Sequence, residues 1–245
     1  MTKPVTAALL VIGDEILSGR TKDKNIGTIA DHLSNAGIDL KEVRVVPDEE
    51  GEIVAAVNAL RARYTYLFTT GGIGPTHDDI TADSIAKAFG VSIGVDERAL
   101  AVMRPAYEKR GLELTPARMR MARIPKGADL IANTVSFAPG FMISNVIVMA
   151  GVPSIMQAML EEVSPRLAKG QKMLSTSISL SCPEGEIAEL FAAHQAEYPD
   201  VVMGSYPAMK DGKYSTELVL RARDEARLNT VAGALMEQLK RNRLL

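Results

Sequence analysis

The sequence contains a single cysteine, Cys182, among 245 residues. One cysteine excludes an internal disulfide and points to a reducing compartment. No motif surrounds Cys182, so it reads as an ordinary packing residue. Charge of one sign is also missing: the formal net charge is −2, with no long acidic or basic run. That argues against nucleic acid and against an anionic membrane surface as partners. No stretch approaches the ~18 apolar residues of a membrane span. The apolar run near the start is short, rich in β-branched residues and followed by Gly13, Asp14 and Glu15, which suits a buried strand better than a signal peptide. Internal repeats and low-complexity segments are absent. These absences leave the expectation of a soluble, cytoplasmic chain, and its apolar fraction of 47% is ordinary for a globular protein.

What is present is an alternation. Residues 5–12 form a near-continuous apolar run, as expected of a strand covered on both faces. Residues 24–35 place Ile26, Ile29, Ala30 and Leu33 at helical spacing, and Gly37 closes that helix. A second strand over 40–46, a helix marked by Ile53, Ala56, Val57 and Leu60, a third strand over 64–70 and a helix over 82–89 follow. This order predicts a mostly parallel sheet with helices on both faces, an α/β sandwich of three layers. Residues 91–127 read as helical, with Pro116 in a first turn. "GFMISNVIVMAG" reads as two strands about a Ser-Asn turn, and Pro153 opens a helix over 154–168. After the polar "AKGQK" the pattern becomes β-α-β-β-α. We therefore expect a larger domain over 1–170 and a small α/β module over 171–245.

In a doubly wound sheet, ligands bind beyond the carboxyl ends of strands whose connections leave toward opposite faces. With the first strand between the second and third, that point falls between "GDEILSGR" (13–20) and "TTGGIGPTHDDIT" (69–81). Gly71, Gly72 and Gly74 permit close approach of a ligand to backbone amides, and the helix that follows directs its positive end to the same place. Phosphate is the expected guest. Asp78 and Asp79 repel phosphate unless a divalent cation such as Mg²⁺ lies between, held by carboxylate and phosphate oxygens together. Asp14, across the crevice, is a further candidate ligand or a group that positions water. Thr76 and Asp79 also match a capping pattern. His77 is a candidate phosphate donor or proton carrier. "NTVSFAPGF" (133–141) and "AGVPS" (150–154) read as further walls of the pocket, the latter offering Gly151 and Ser154 at a helix start. His32 and His194 read as structural, and Arg118, Arg120 and Arg123 as solvated surface. Met103, Met119, Met121, Met156 and Met159 read as core packing.

Together "GDEILSGR", "TTGGIGPTHDDIT", "APGF", "GVPS" and "GSYP" (204–207) resemble the molybdopterin-binding-like superfamily, in its CinA N-terminal branch. The same motifs are similar to the molybdopterin-binding-like half of eukaryotic FAD synthases. The resemblance implies a three-layer α/β fold, Gly71, Gly72, Gly74 and Thr76 around phosphate, Asp78 and Asp79 organising metal, and Asp14 facing them. It also implies a dimer or trimer. The branch often reads Asn-Thr-Asn where this chain has Asp23, Lys24 and Asn25, and the chain departs again at Ser136-Phe137 and at Ala150 and Ile155, where the branch usually reads proline and glutamate. It stops short of any nicotinamide-nucleotide amidase domain, so that activity is not expected. Three functions follow as expectations. The first is metal-dependent hydrolysis of a nucleoside-diphosphate linkage, as in ADP-ribose or FAD. The second is molybdopterin binding or adenylyl transfer in cofactor biosynthesis. The third is nucleotide binding without turnover.

Overall fold

The computed structural model describes residues 4–210 and 212–245, with the backbone alone at 210 and 213. Two compact units, Met1–Gly170 and Gln171–Leu245, make up the chain. The first unit runs β1 (Thr6–Ile12), α1 (Asp14–Leu17), α2 (Asn25–Asn35), β2 (Asp39–Val46), α3 (Glu50–Arg63), β3 (Tyr66–Thr70), α4 (Thr81–Phe89), β4 (Ile93–Val95), α5 (Glu97–Lys109), α6 (Pro116–Met119), β5 (Arg123–Pro125), β6 (Asp129–Ile131), β7 (Gly140–Ile143), β8 (Val146–Met149) and α7 (Pro153–Val163). Its main sheet has the order β2-β1-β3-β8-β7-β6. The first four of these strands are parallel, and β7 and β6 close the edge antiparallel.

The continuous apolar run of β1 is explained by burial on both sides. Ala8, Leu10 and Ile12 pack with Ile53, Val57 and Leu60 of α3, Ile85 of α4 and Met103 of α5. Ala7, Leu9 and Val11 pack with Ile29 and Leu33 of α2 and with Met156, Met159 and Leu160 of α7. Each such leucine or isoleucine contributes roughly 1.5–3 kcal/mol through burial. The fold is thus the three-layer α/β arrangement that the alternation predicts. Gly37, with φ 73°, ends α2: its N–H reaches Ser34 O at 3.1 Å and that of Ile38 reaches Leu33 O at 2.8 Å. These are the two bonds of a Schellman ending.

Residues 91–127 depart from the helical expectation. The helices α5 and α6 lie there, but β4 and β5 pair antiparallel, Ile93 opposite Pro125 and Val95 opposite Arg123. Just beyond, β6 joins the main sheet. Three-residue strands are too short to carry a period of two, so no pattern announces them.

The connections set the position of a crevice. From β1 the chain passes to α2 on one face, from β3 to α4 on the opposite face, and from β8 to α7 back on the first. The carboxyl ends of β1, β3 and β8 therefore meet at a topological switch point. Gly71 sits there with φ 102°, and a Cβ added to it would lie 2.1 Å from Ile12 O.

The second unit contains β9 (Leu174–Leu180), α8 (Glu184–Glu197), β10 (Val202–Lys210), β11 (Lys213–Ala222) and α9 (Glu225–Arg241). The strands form one antiparallel sheet, β10-β11-β9. Leu218 and Leu220 of β11 pack with Ile187 and Phe191 of α8 and Val231 and Leu235 of α9. His194 is buried, with Nε2 3.1 Å from Val231 O and Nδ1 3.1 Å from Gln238 Oε1. It is a structural residue. Cys182 is buried as well, and burial pushes its thiol up, away from the reactive thiolate.

The steric environment of Gly71 gives a direct test. Gly71→Ala forces a methyl against the Ile12 carbonyl at an unfavourable φ and lowers stability by about 1–3 kcal/mol. Gly90 also has a positive φ, 65°, in the left-handed region, but open space around it, so Gly90→Ala carries only that conformational cost and costs less. Urea denaturation of the two variants measures the difference.

Candidate functional site

The glycine loop is closed by its own backbone. Thr81, the first residue of α4, donates from N to Gly72 O at 2.9 Å and from Oγ1 to Gly71 O at 2.9 Å. Gly71 N donates to Met149 O at 3.2 Å. That amide is committed to the sheet and is not open to phosphate. The amides of Ile73 and Gly74 have no acceptor among the described residues. Thr76 donates from N and Oγ1 to Asp79 Oδ2, at 2.8 and 2.5 Å, while Asp79 N donates to Thr76 O at 3.3 Å. Only half of a capping box is present, the carboxylate reaching back to the Thr76 N–H while the Asp79 N–H bonds the Thr76 carbonyl rather than its hydroxyl, and the pair folds the loop itself, because α4 begins only at Thr81. A Cβ on Gly74 would lie 2.6 Å from Asp79 Oδ2. Gly74 is thus where the carboxylate crosses the backbone.

Above the strand ends lies a cleft with two lobes. The larger, about 490 Å³, has Ile73, Met121, Val152, Ile155 and Met159 as its apolar wall, and Gly72, Gly74 and Asp79 on the loop side. The smaller, about 230 Å³, includes Lys22, Lys24, Asn25 and Thr70. Glu15, Thr21, Gly71, Gly151 and Pro153 belong to both. Gly71 and Gly151 form a backbone saddle between the lobes, since a Cβ on Gly151 would stand 3.3 Å from Gly71 Cα, and Glu15, Thr21 and Pro153 flank it as walls of both lobes. Behind the loop a pocket of about 10 Å³, room for one water, touches Asp79, Asp83, Arg120 and Arg123. Here Arg123 grips Asp83 with two bonds of 2.8 and 2.7 Å, and Arg120 Nη2 reaches Asp79 O at 3.4 Å. These two arginines are not simply solvated, since they brace α4 and the glycine loop.

Of the residues expected from sequence, Gly71, Gly72, Gly74, Asp79 and Gly151 line the larger lobe. Asp14, Thr76, His77, Asp78 and Ser154 line neither lobe. His77 projects into solvent, its side chain 99% exposed, with Nδ1 3.9 Å from Asp78 Oδ1. Ser154 is exposed on the first turn of α7. Asp14 begins α1, and its N–H donates to Asp48 Oδ2 at 3.0 Å. Sequence reasoning missed Glu15, Thr21, Asn25 and Asp48. Glu15 and Thr21 lie within or beside a motif already noted; Asp48 lies in none.

Carboxylates from three segments lie close enough to act on one another, and of these only Glu15 lines the cleft. Burial pushes the Asp48 carboxyl above its ordinary value; the Asp14 N–H works against this, and the charges of Asp14, Glu15 and Asp78 add to it. Asp78 is held below its ordinary value by Thr76 and by its own backbone N–H. Among the described residues no group of three or more His, Cys, Asp or Glu side chains stands where it could hold a metal ion. Because the folded-state pKa of Asp48 is raised, ionising it costs stability. The favourable contribution is complete below the unfolded value and is lost as pH rises through the folded one. Asp48→Asn therefore melts at a higher temperature than the parent at pH 7, and the gap closes as pH falls below the ordinary aspartate range. Thermal denaturation across that range checks it.

Residues 8–169 match the family model described as a probable molybdopterin binding domain, and residues 172–245 match the FAD synthase middle domain. A protein from Aeropyrum pernix is 33% identical over 96% of this chain and 90% of its own length. A CinA-like protein from Desulfosudis oleivorans is 36% identical over 81% of this chain and 51% of its own. A probable FAD synthase from Caenorhabditis briggsae is 32% identical over 96% of this chain and 49% of its own. This chain thus matches about half the length of the last two. The protein CinA of Thermoplasma acidophilum, a solved structure with unknown function, shares 35% identity at a TM-score of 0.60, over 66% of this chain and 96% of its own. With the fold and the glycine loop in place, these matches make the chain a CinA-type member of the molybdopterin-binding-domain family, with a C-terminal unit of the FAD synthase middle-domain type.

Proposed function

We propose that this protein is a divalent-metal-dependent hydrolase of a nucleoside-diphosphate linkage of the ADP-ribose or FAD type. The observation that carries the reading is the cleft itself: two lobes joined over a backbone saddle, with Glu15 in the walls of both and Asp79 in that of the larger. A planar ring suits the apolar wall of Ile73, Met121, Ile155 and Met159. A diphosphate suits the passage over Gly71 and Gly151, which have no side chains, with the Ile73 and Gly74 amides, without an acceptor among the described residues, on the wall of the larger lobe beside it.

Asp79 spends Oδ2 on Thr76 and keeps Oδ1 unbonded, and the mutual repulsion around Asp48 is what a cation relieves. No carboxylate trio forms a cage. Magnesium needs none, because it is commonly held by one or two carboxylates together with substrate phosphates. Asp79, with Asp78 and Asp14 at the rim, fits that mode. A bound metal would neutralise the diphosphate and lower the pKa of its water. The chain's own contribution is to orient. The Ile73 and Gly74 amides donate to phosphate oxygens and stabilise developing charge. The Thr76 bonds fix the rotamer of Asp79. Glu15, in the wall of both lobes, is placed to accept a proton from attacking water.

Incubation with ADP-ribose or FAD and Mg²⁺, Mn²⁺ or Co²⁺ releases AMP, and Asp79→Ala lowers kcat/KM by at least about 100-fold. An absence of AMP with every substrate and metal contradicts hydrolysis. One observation favours a second reading, nucleotide binding without turnover. Ile155 and Ala150, which replace the glutamate and proline usual in the branch, both line the larger lobe. That reading predicts ligand-dependent thermal stabilisation without AMP. Retention of a pterin through purification would instead favour a role in molybdenum cofactor biosynthesis.

A further inference from the structure

The smaller lobe carries polar groups for which hydrolysis has no use. Asn25 and Thr70, only 4% and 1% exposed, belong to its wall. Asn25 Oδ1 and Thr70 Oγ1 are buried without a hydrogen-bond partner among the described residues. Buried polar atoms are normally paired, and an unpaired one costs its full desolvation. The amide orientation of Asn25 is fixed by chemistry. Its Nδ2 donates to Gly151 O at 2.8 Å, and a carbonyl can only accept, so the remaining atom is the oxygen. Asp23 Oδ1 takes the Asn25 backbone N–H at 3.0 Å, which pins the residue at the start of α2. Thr70 is the last residue of β3, beside Gly71. Its neighbour Thr69 is equally buried and equally unpartnered, but alternation turns it to the other face of the sheet, and it lines neither lobe.

We propose that the smaller lobe is a subsite for a hydroxylated sugar, and that Asn25 and Thr70 determine its specificity. Asn25 Oδ1 accepts from one sugar hydroxyl, and Thr70 Oγ1 exchanges a bond with a neighbouring hydroxyl. Lys22 and Lys24, on the same wall, favour the phosphate side of the sugar. This assignment rests on the nucleotide reading of the cleft. The base occupies the larger lobe, the diphosphate crosses the Gly71–Gly151 saddle, and the second sugar enters the smaller lobe. A mononucleotide fills one lobe and a nucleoside diphosphate sugar fills both.

Thr70→Val tests this with almost no change of shape. Calorimetric titration with ADP-ribose and with AMP, in EDTA and again in Ca²⁺, reads binding apart from turnover. Thr70→Val weakens ADP-ribose about 5- to 20-fold, leaves AMP within about twofold, and melts no lower than the parent, because it deletes an unpaired buried hydroxyl. Thr69→Val shows the same thermal behaviour with both affinities unchanged. Thr70→Ser keeps the hydroxyl and the preference for ADP-ribose, and it stands in if the valine variant does not fold. Equal effects of Thr70→Val on the two ligands, no effect on either, or no binding of ADP-ribose in either buffer overturns the subsite. Selective weakening without any AMP release leaves the subsite standing and removes only the hydrolase reading. AMP release with unselective weakening does the reverse.

Discussion

The closeness of three strand ends at Gly71 is the constraint on which the rest of the structure depends. The Gly71 amide continues the β3–β8 ladder to Met149, its Cα touches the space that a side chain at Gly151 would need, and Ile12 O leaves no room for a Cβ. Only backbone fits there. The result is a floor of peptide groups between two lobes, over which a ligand can lie close to the chain. The loop that follows is tied down at both ends by Thr81 and held in the middle by the Thr76–Asp79 pair, so Ile73 and Gly74 present their amides from a fixed frame. Preorganisation of this kind is what makes weak individual donors effective against developing charge.

Electrostatics supply the second half of the site. Asp14, Glu15, Asp48 and Asp78 come from α1, the segment after β2, and the glycine loop, yet their charges are felt together at Asp48. A fold does not collect like charges without cost. Under the proposed function, that repulsion is what a cation bound together with an anionic ligand would relieve. The arginines behind the loop are on a different duty: Arg123 holds Asp83 of α4, which steadies the helix whose first residue anchors the loop.

Much of this was legible in the sequence. The central strands announce themselves because strands buried on both faces need unbroken apolar runs, and β1 and β8 have them. The glycine loop and "GVPS" could be placed on the cleft because the order of strands and helices predicts the switch point. The methionines read as packing do pack: Met103, Met156 and Met159 are buried in the two cores. Met121 and Met159 in addition form cleft wall, a role that periodicity cannot distinguish from core. Other features were illegible for definite reasons. The strands β4, β5 and β6 are too short to show alternation. That the Gly71 amide is spent on Met149, or that His77 points wholly outward, depends on backbone dihedrals within a loop. Asp48 sits in no motif and becomes part of the site only because β2 lies beside β1. The pairing of Asn25 with Gly151 O joins segments far apart in sequence, and only the fold brings them together.

In the proposed function a diphosphate lies across the backbone saddle between the two lobes. Amide chemical shifts during titration with ADP-ribose test it most directly. The account predicts that the largest changes fall on Ile73, Gly74 and Gly151, with smaller ones at Asn25 and Thr70. Changes confined to residues 171–245, or to the surface around His77 and Ser154 while the saddle stays silent, would contradict it.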